Sequence, residues 1–218
     1  MKNIERLDPA HLALVLVDLQ QGYCKPGSDW EKNIGGDVSG AEQVCRDHVA
    51  FLEAARDMFP SRRIIWFQME EAANTLAPNM HYGAHLGDKI FAPLCVRKTE
   101  GHKFHIVEPE PGEPVFLKFH MSGFSNRDFI AHLEKNGITQ LAFTGVIESR
   151  CVNATILGAS ERGYECIALR DLMGGPADLA AEMAEHRKVT DFFYSLPLQS
   201  GDFIARVRKA RAVSQNRL

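Results

Sequence analysis

The chain has 218 residues, of which 45% are hydrophobic and 24% charged, with a formal net charge of −3. That profile is ordinary for a globular protein long enough to bury a sizeable core without staples. The near-neutral balance argues against nucleic acid or an anionic membrane surface as a partner, and no apolar stretch approaches the roughly 20 residues that a spanning helix needs.

The first predicted element is a strand over Leu12–Val17, wholly apolar and ended by Asp18, as expected of a strand buried on both faces of a parallel sheet. This run is too short, and too abruptly ended by an acid, for a signal peptide. The five cysteines (Cys24, Cys45, Cys95, Cys151 and Cys166) are odd in number and hold no C-x-x-C pair. They read as reduced thiols in a cytoplasmic protein. Cys45 and Cys166 read as inert core residues.

A polar, Gly-rich segment follows from Gln20 to Gly36. Ser39 and Glu42 then form an S-x-x-E capping box, and apolar residues from Ala41 to Phe59 recur at helical spacing until Pro60. A second strand is predicted over Arg63–Met69. Residues 70–112 concentrate prolines and histidines and read as loops and short elements. Pro114–Phe119 is a third strand. Ser125 is placed to cap a helix through Phe129, Ile130 and Leu133 that Gly137 ends. Gln140–Thr144 is a fourth strand, Gly145–Arg150 a turn, Cys151–Arg162 a helix closed by Gly163, and Tyr164–Leu169 a fifth strand. A helix over Ala177–Val189, an edge strand over Phe192–Leu198 containing Pro197, and a last helix over Asp202–Ala212 complete the chain. The β-α-β alternation predicts one domain, residues 1–218. Its fold class is α/β, a three-layer αβα arrangement around an open, mainly parallel, six-stranded doubly wound sheet.

Ligands in such sheets bind beyond the carboxyl ends of the strands. Asp18 lies at the end of the first strand, Lys118 at the end of the third and Cys151 just past the fourth. Each has an ordinary reading: Asp18 as a turn cap, Lys118 as a solvated strand-end lysine, Cys151 as a small core residue. Together they are chemically coherent, because a nucleophilic thiol needs a base and a nearby cation lowers its pKa. A place at a helix start would favour the thiolate further and offer N–H groups to an oxyanion.

Three segments are similar to the isochorismatase-like cysteine hydrolases, a superfamily that includes nicotinamidases, N-carbamoylsarcosine amidases and ureide hydrolases. They are LALVLVDLQQGY, VFLKFHMSGF and LAFTGVIESRCVNATILGASERGYECIALRDLMGG. The resemblance implies the isochorismatase-like fold and an amidohydrolase that cleaves a small amide, carbamoyl or ureide compound through a thioester. It implies Asp18 as base, Lys118 as stabiliser of the thiolate and Cys151 as nucleophile. The oxyanion hole would be the backbone N–H groups of Ile147 and Cys151, with a cis peptide at Val146–Ile147. It further implies a homo-oligomer, dimer or tetramer. No cofactor or metal is expected, since the Asp-x-His motif of nicotinamidases is missing from Phe67-Gln68-Met69-Glu70-Glu71-Ala72. Isochorismatases proper, which cleave a vinyl ether, lack the cysteine. That reaction and a non-catalytic binding or assembly role are the alternatives.

Tyr23, Phe124 and Arg150 are candidate substrate-binding residues, with Trp30 and Arg127 beside them; packing, or for the arginines simple exposure, is the ordinary reading of each. His81, His85, His102 and His105, with Cys95, would be the raw material of a zinc site but lack a tight ligand spacing. Ser122 sits in M-S-G-F and not in a G-x-S-x-G elbow, and neither glycine pair fits a phosphate loop.

Overall fold

A computed structural model of the chain describes residues 7–71 and 93–215. Six strands form one sheet: β1 Leu12–Val17, β2 Ile64–Met69, β3 Val115–Lys118, β4 Gln140–Val146, β5 Glu165–Gly174 and β6 Leu196–Leu198. Their order is β3-β2-β1-β4-β5-β6, and every neighbouring pair is parallel. The chain builds β1 to β3 toward one edge, then returns to β4 on the other side of β1. The β1/β4 junction is therefore the topological switch point, where a doubly wound sheet opens a crevice at its carboxyl edge.

Seven α-helices are described: α1 Gln21–Cys24, α2 Asp29–Asn33, α3 Ser39–Arg56, α4 Arg127–Lys135, α5 Asn153–Ser160, α6 Ala180–Phe193 and α7 Ser200–Gln215. The side-chain period of two in a strand sorts β1 between two cores. Leu12, Leu14 and Leu16 join Val44, Cys45 and Leu52 of α3 and Phe203 and Val207 of α7 on one face. Ala13, Val15 and Val17 join Phe129 and Leu133 of α4 and Ile156 and Ala159 of α5 on the other. A strand covered on both sides has no polar face to show, which is why its sequence is an unbroken apolar run. Among the described residues, no helix is long and apolar enough to cross a membrane.

Local chemistry moved several predicted boundaries. The start of α3 is fixed by Asp37, whose carboxylate accepts from Ser39 N at 2.8 Å, while Glu42 turns to Arg46 at 2.6 Å; the Ser39/Glu42 box does not form. Asn126, not Ser125, caps α4 by accepting from the N–H groups of Asp128 and Phe129 at 2.8 and 3.1 Å. Ser125 is spent in a preceding 3₁₀ turn, donating to Ser122 O at 2.7 Å. Gly137 and Gly163 do end their helices with positive φ, +61° and +82°. Phe192 and Phe193 extend α6 and leave β6 only three residues long, with Pro197 at its centre. The helix expected from Cys151 begins at Asn153, after a π-helical turn over Glu148–Val152 whose wider bond runs from Val152 N to Ile147 O at 3.3 Å. The short helices α1 and α2 arise in the segment read as polar coil.

Two positions yield tests of the fold. Gly145 has φ +110°, and a Cβ there would lie 2.1 Å from Val17 O. Gly145→Ala is expected to lower unfolding free energy by at least about 3 kcal/mol in urea titrations. His48 lies on the buried face of α3, and its Nδ1 donates to Val44 O at 2.7 Å. Burial pushes its pKa down to about 4 from 6.5, against the opposing pull of that carbonyl. Between those pH values the unfolded chain binds a proton that the native imidazole refuses, so stability falls as pH drops from 6.5 to 4. The loss from this group approaches about 3 kcal/mol. Unfolding curves across that window should show the slope in the wild type and a reduced slope in His48→Phe.

Candidate active site

The carboxyl edge of the sheet gathers Asp18, Lys118 and Cys151. Asp18 follows β1 in the left-handed region, φ +52°, a conformation that aspartate tolerates better than most residues and that ends the strand abruptly. Lys118 is the last residue of β3, and Cys151 stands in the π-helical turn after β4. β2 separates β3 from β1, yet the long lysine side chain crosses that gap. Its Nζ lies 2.7 Å from Asp18 Oδ2, 3.2 Å from Cys151 Sγ, 3.3 Å from His120 O and 3.4 Å from Met69 Sδ. The Asp18 and Lys118 side chains are fully buried. The contact to Asp18 is a close buried ion pair, and the thiol also acts on the same carboxylate.

Burial dominates the electrostatics. It pushes the Cys151 thiol up to about 12, although Lys118 pulls it down; Asp18 adds to the rise. Lys118 pulls the thiol down, the direction expected of a neighbouring ammonium, while burial pulls it up. Desolvation is the larger of the two influences. For Lys118 the balance runs the other way: burial opposes its charge, but Asp18 and Cys151 together raise its pKa.

Neighbouring residues hold this arrangement. Gln20, fully buried, clamps the end of β1 to the end of β2: its side chain accepts from Met69 N at 2.7 Å and donates to Met69 O at 3.0 Å and His102 O at 2.9 Å. The nucleophile turn is tied down residue by residue. Glu148 accepts from Arg170 at 2.8 Å and from Arg187 Nε at 2.6 Å, Arg170 also pairs with Asp191, and Ser149 donates to Glu182 at 2.6 Å. The Val146–Ile147 peptide just before this turn is cis. Met121 Sδ lies 3.6 Å from the thiol.

The other sequence candidates separate. Tyr23 is buried and donates to Glu71 Oε1 at 2.9 Å. Trp30 meets Tyr23 edge-on, with ring centroids 6.5 Å apart, and the Arg150 guanidinium lies 5.4 Å over its ring and 3.6 Å from Glu182. Phe124 packs into the second core, against Phe129 at 5.0 Å and Tyr164 at 5.6 Å. Arg127 is exposed at the start of α4. Cys45 and Cys166 are buried in opposite cores. His81 and His85 lie outside the described residues. His102 Nε2 stands 3.7 Å from Glu70, whose carboxylate is already engaged by Arg97 at 2.7 Å. Among the described residues, no three His, Cys, Asp or Glu side chains converge as a metal-ligating set. Gln20, Glu71, Met121 and Glu148 were not singled out from sequence. Only Gln20 carried a signal, as the last residue of the D-L-Q element.

The family model of the isochorismatase domain matches residues 12–196. The chain belongs to the isochorismatase family. It is 32% identical over 187 residues to ureidoacrylate amidohydrolase RutB of Methylobacterium radiotolerans, covering 79% of this chain and 71% of that protein. RutB of Enterobacter sp. strain 638 is 29% identical over 197 residues, covering 85% of this chain and 84% of that protein. Among solved structures, a cysteine hydrolase from Pseudomonas syringae pv. phaseolicola superposes with a TM-score of 0.76 at 18% identity, covering 94% of this chain and 95% of that one. The last likeness is one of fold: the six-stranded parallel sheet is that of the isochorismatase-like α/β proteins.

The raised thiol has a measurable consequence. Alkylation of Cys151 by iodoacetamide should accelerate about tenfold per pH unit from pH 7 to 10, with no plateau below roughly pH 11. A plateau in the neutral range would mean a preformed thiolate and contradict the burial argument.

Proposed function

We propose that this chain is a cysteine-dependent amidohydrolase that cleaves a C–N bond of a small amide, carbamoyl or ureide compound. The observation that carries the reading is the buried contact of one ammonium, Lys118, with both Asp18 at 2.7 Å and Cys151 at 3.2 Å. The two amidohydrolase relatives support the C–N specificity.

In this reading the substrate carbonyl enters the crevice above β1 and β4. Asp18 takes the thiol proton as Cys151 Sγ attacks the carbonyl carbon, so the thiolate exists only when it is used. Lys118 offsets the charge that develops on sulfur. The backbone N–H groups of Ile147 and Cys151 receive the oxyanion. Collapse of the tetrahedral intermediate breaks the C–N bond, and Asp18 returns its proton to the departing nitrogen, releasing ammonia or an amine. Asp18 then deprotonates water, which attacks the thioester carbonyl. The acid leaves and the thiol regains its proton.

The test is ammonia release from a panel of small amides and ureides. Cys151→Ala should lower turnover by at least about a thousandfold while preserving stability, and EDTA treatment should leave wild-type turnover unchanged. Lys118→Met should abolish turnover and also lower unfolding free energy by about 3–5 kcal/mol, because it strands a buried carboxylate. Turnover that persists in Cys151→Ala, or pyruvate release in place of ammonia, would sink the reading.

A further inference from the structure

The turn that carries Cys151 holds a buried acid to which none of these steps gives a task. Glu148 is 3% exposed and lies between Ile147 and Cys151, the two residues whose N–H groups receive the oxyanion in the proposed reaction. Two guanidinium groups from different elements converge on its carboxylate. Arg170 of β5 donates from Nη1 to Oε1 at 2.8 Å. Arg187 of α6 donates from Nε to the same oxygen at 2.6 Å and from Nη2 to Oε2 at 2.5 Å, a two-pronged fork. Asp191 of α6 takes the other arm of Arg170, so two acids balance two bases.

A buried ion network contributes little net stability, because desolvation of its charges offsets their attraction. Nor is Glu148 needed to fasten α6 to β5, since the Arg170–Asp191 pair already joins them. What Glu148 adds is a grip on the nucleophile turn. Glu148–Val152 form a π-helical turn, a rare geometry that concentrates at functional sites. Ile147 O closes it by accepting from Arg150 N at 3.0 Å and Val152 N at 3.3 Å. Its start is held from two sides through Glu148, and Ser149 donates to Glu182 in the first turn of α6 at 2.6 Å. Beyond the thiol, Thr155 Oγ1 donates to Cys151 O at 2.6 Å. The thiol and both N–H groups adjoin these anchors.

We propose that Glu148 is a positioning residue, which, clamped by Arg170 and Arg187, sets the nucleophile turn so that the Ile147 and Cys151 N–H groups face the oxyanion. It touches no substrate atom. This rests on the amidohydrolase reading and names the residues that hold its oxyanion site in place. A displacement of about 1 Å in such a site can lower a rate about a hundredfold.

Two probes of Cys151 separate positioning from plain support. Iodoacetamide forms a C–S bond at a saturated carbon, with loss of iodide and of the thiol proton, and no oxyanion arises. 4-Nitrophenyl acetate forms a C–S bond at its carbonyl carbon; charge gathers on the carbonyl oxygen, the ester C–O bond breaks, 4-nitrophenolate leaves and Asp18 takes the thiol proton. The readout is the ratio of the acylation to the alkylation rate constant, each counted as the part lost in Cys151→Ala. Relative to wild type, the ratio is expected to fall at least tenfold in Glu148→Gln. In Arg187→Met, which removes the fork, it should fall at least about fivefold. With any amide that is cleaved, kcat should fall with the ratio while KM stays within about threefold. A network that only supports the fold would lower stability and leave the ratio within about twofold of wild type, and that result in either variant overturns the proposal while the amidohydrolase reading stands. Arg187, with its side chain 41% exposed, supplies the deciding variant if Glu148→Gln does not fold. A ratio that falls in a protein releasing no ammonia from any amide or ureide would keep the Glu148 assignment and sink the amidohydrolase reading. A wild type alkylated at Cys151 but never acylated would overturn both.

Discussion

An ammonium and a carboxylate lie 2.7 Å apart with their side chains sealed from water. Neither Lys118 nor Asp18 would be tolerated alone at such a depth, because an unpaired buried charge is worth several kcal/mol against the native state. Their mutual attraction makes the site possible, and it imposes a geometry on the rest of the molecule. β1 must end where β3 ends, with β2 between them short enough for a lysine to reach across. Gln20 enforces this by locking the ends of β1 and β2 together through two hydrogen bonds to Met69, with a third to His102 O. The thiol is then delivered from the other side of β1 by β4, and the ion network on Glu148 and the Ser149–Glu182 bond hold the turn that carries it.

The division of labour follows from the sheet. Its interior strands are apolar on both faces and serve only to fix where their ends lie. The carboxyl ends carry the candidate site: Asp18 after β1, Lys118 closing β3 and Cys151 after β4. These three side chains reach one place because the strands are parallel. An antiparallel strand at any of these positions would send its end to the opposite edge.

Much of this was legible in the sequence, for identifiable reasons. A strand buried on both faces reads as an unbroken apolar run, so β1, β2 and the first part of β4 could be placed closely, and the strand-end rule then picked out Asp18, Lys118 and Cys151. The failures are equally specific. Phe192 and Phe193 read as strand because they are large and apolar, yet they are 80% and 67% exposed at the end of α6; hydrophobicity was mistaken for burial. Ser125 and Asn126 are adjacent and equally able to cap, as are Asp37 and Ser39, and only the path of the backbone decides between them. Glu71 could not be found because nothing in Q-M-E-E shows which glutamate turns inward. Proximity to lysine is visible at a strand end, whereas the depth of desolvation of the thiol is a property of the assembled fold.

That depth gives the site a form of chemical discretion. Peroxides and stray electrophiles attack thiolates far faster than thiols, so burial that pushes the Cys151 thiol up slows such attack between turnovers. In the proposed reaction its reactivity is released when Asp18 takes the thiol proton and passes it to the departing nitrogen. A thiol made acidic in advance would be faster to attack and just as fast to be lost. This one stays protected by the same water exclusion that holds its ion pair together.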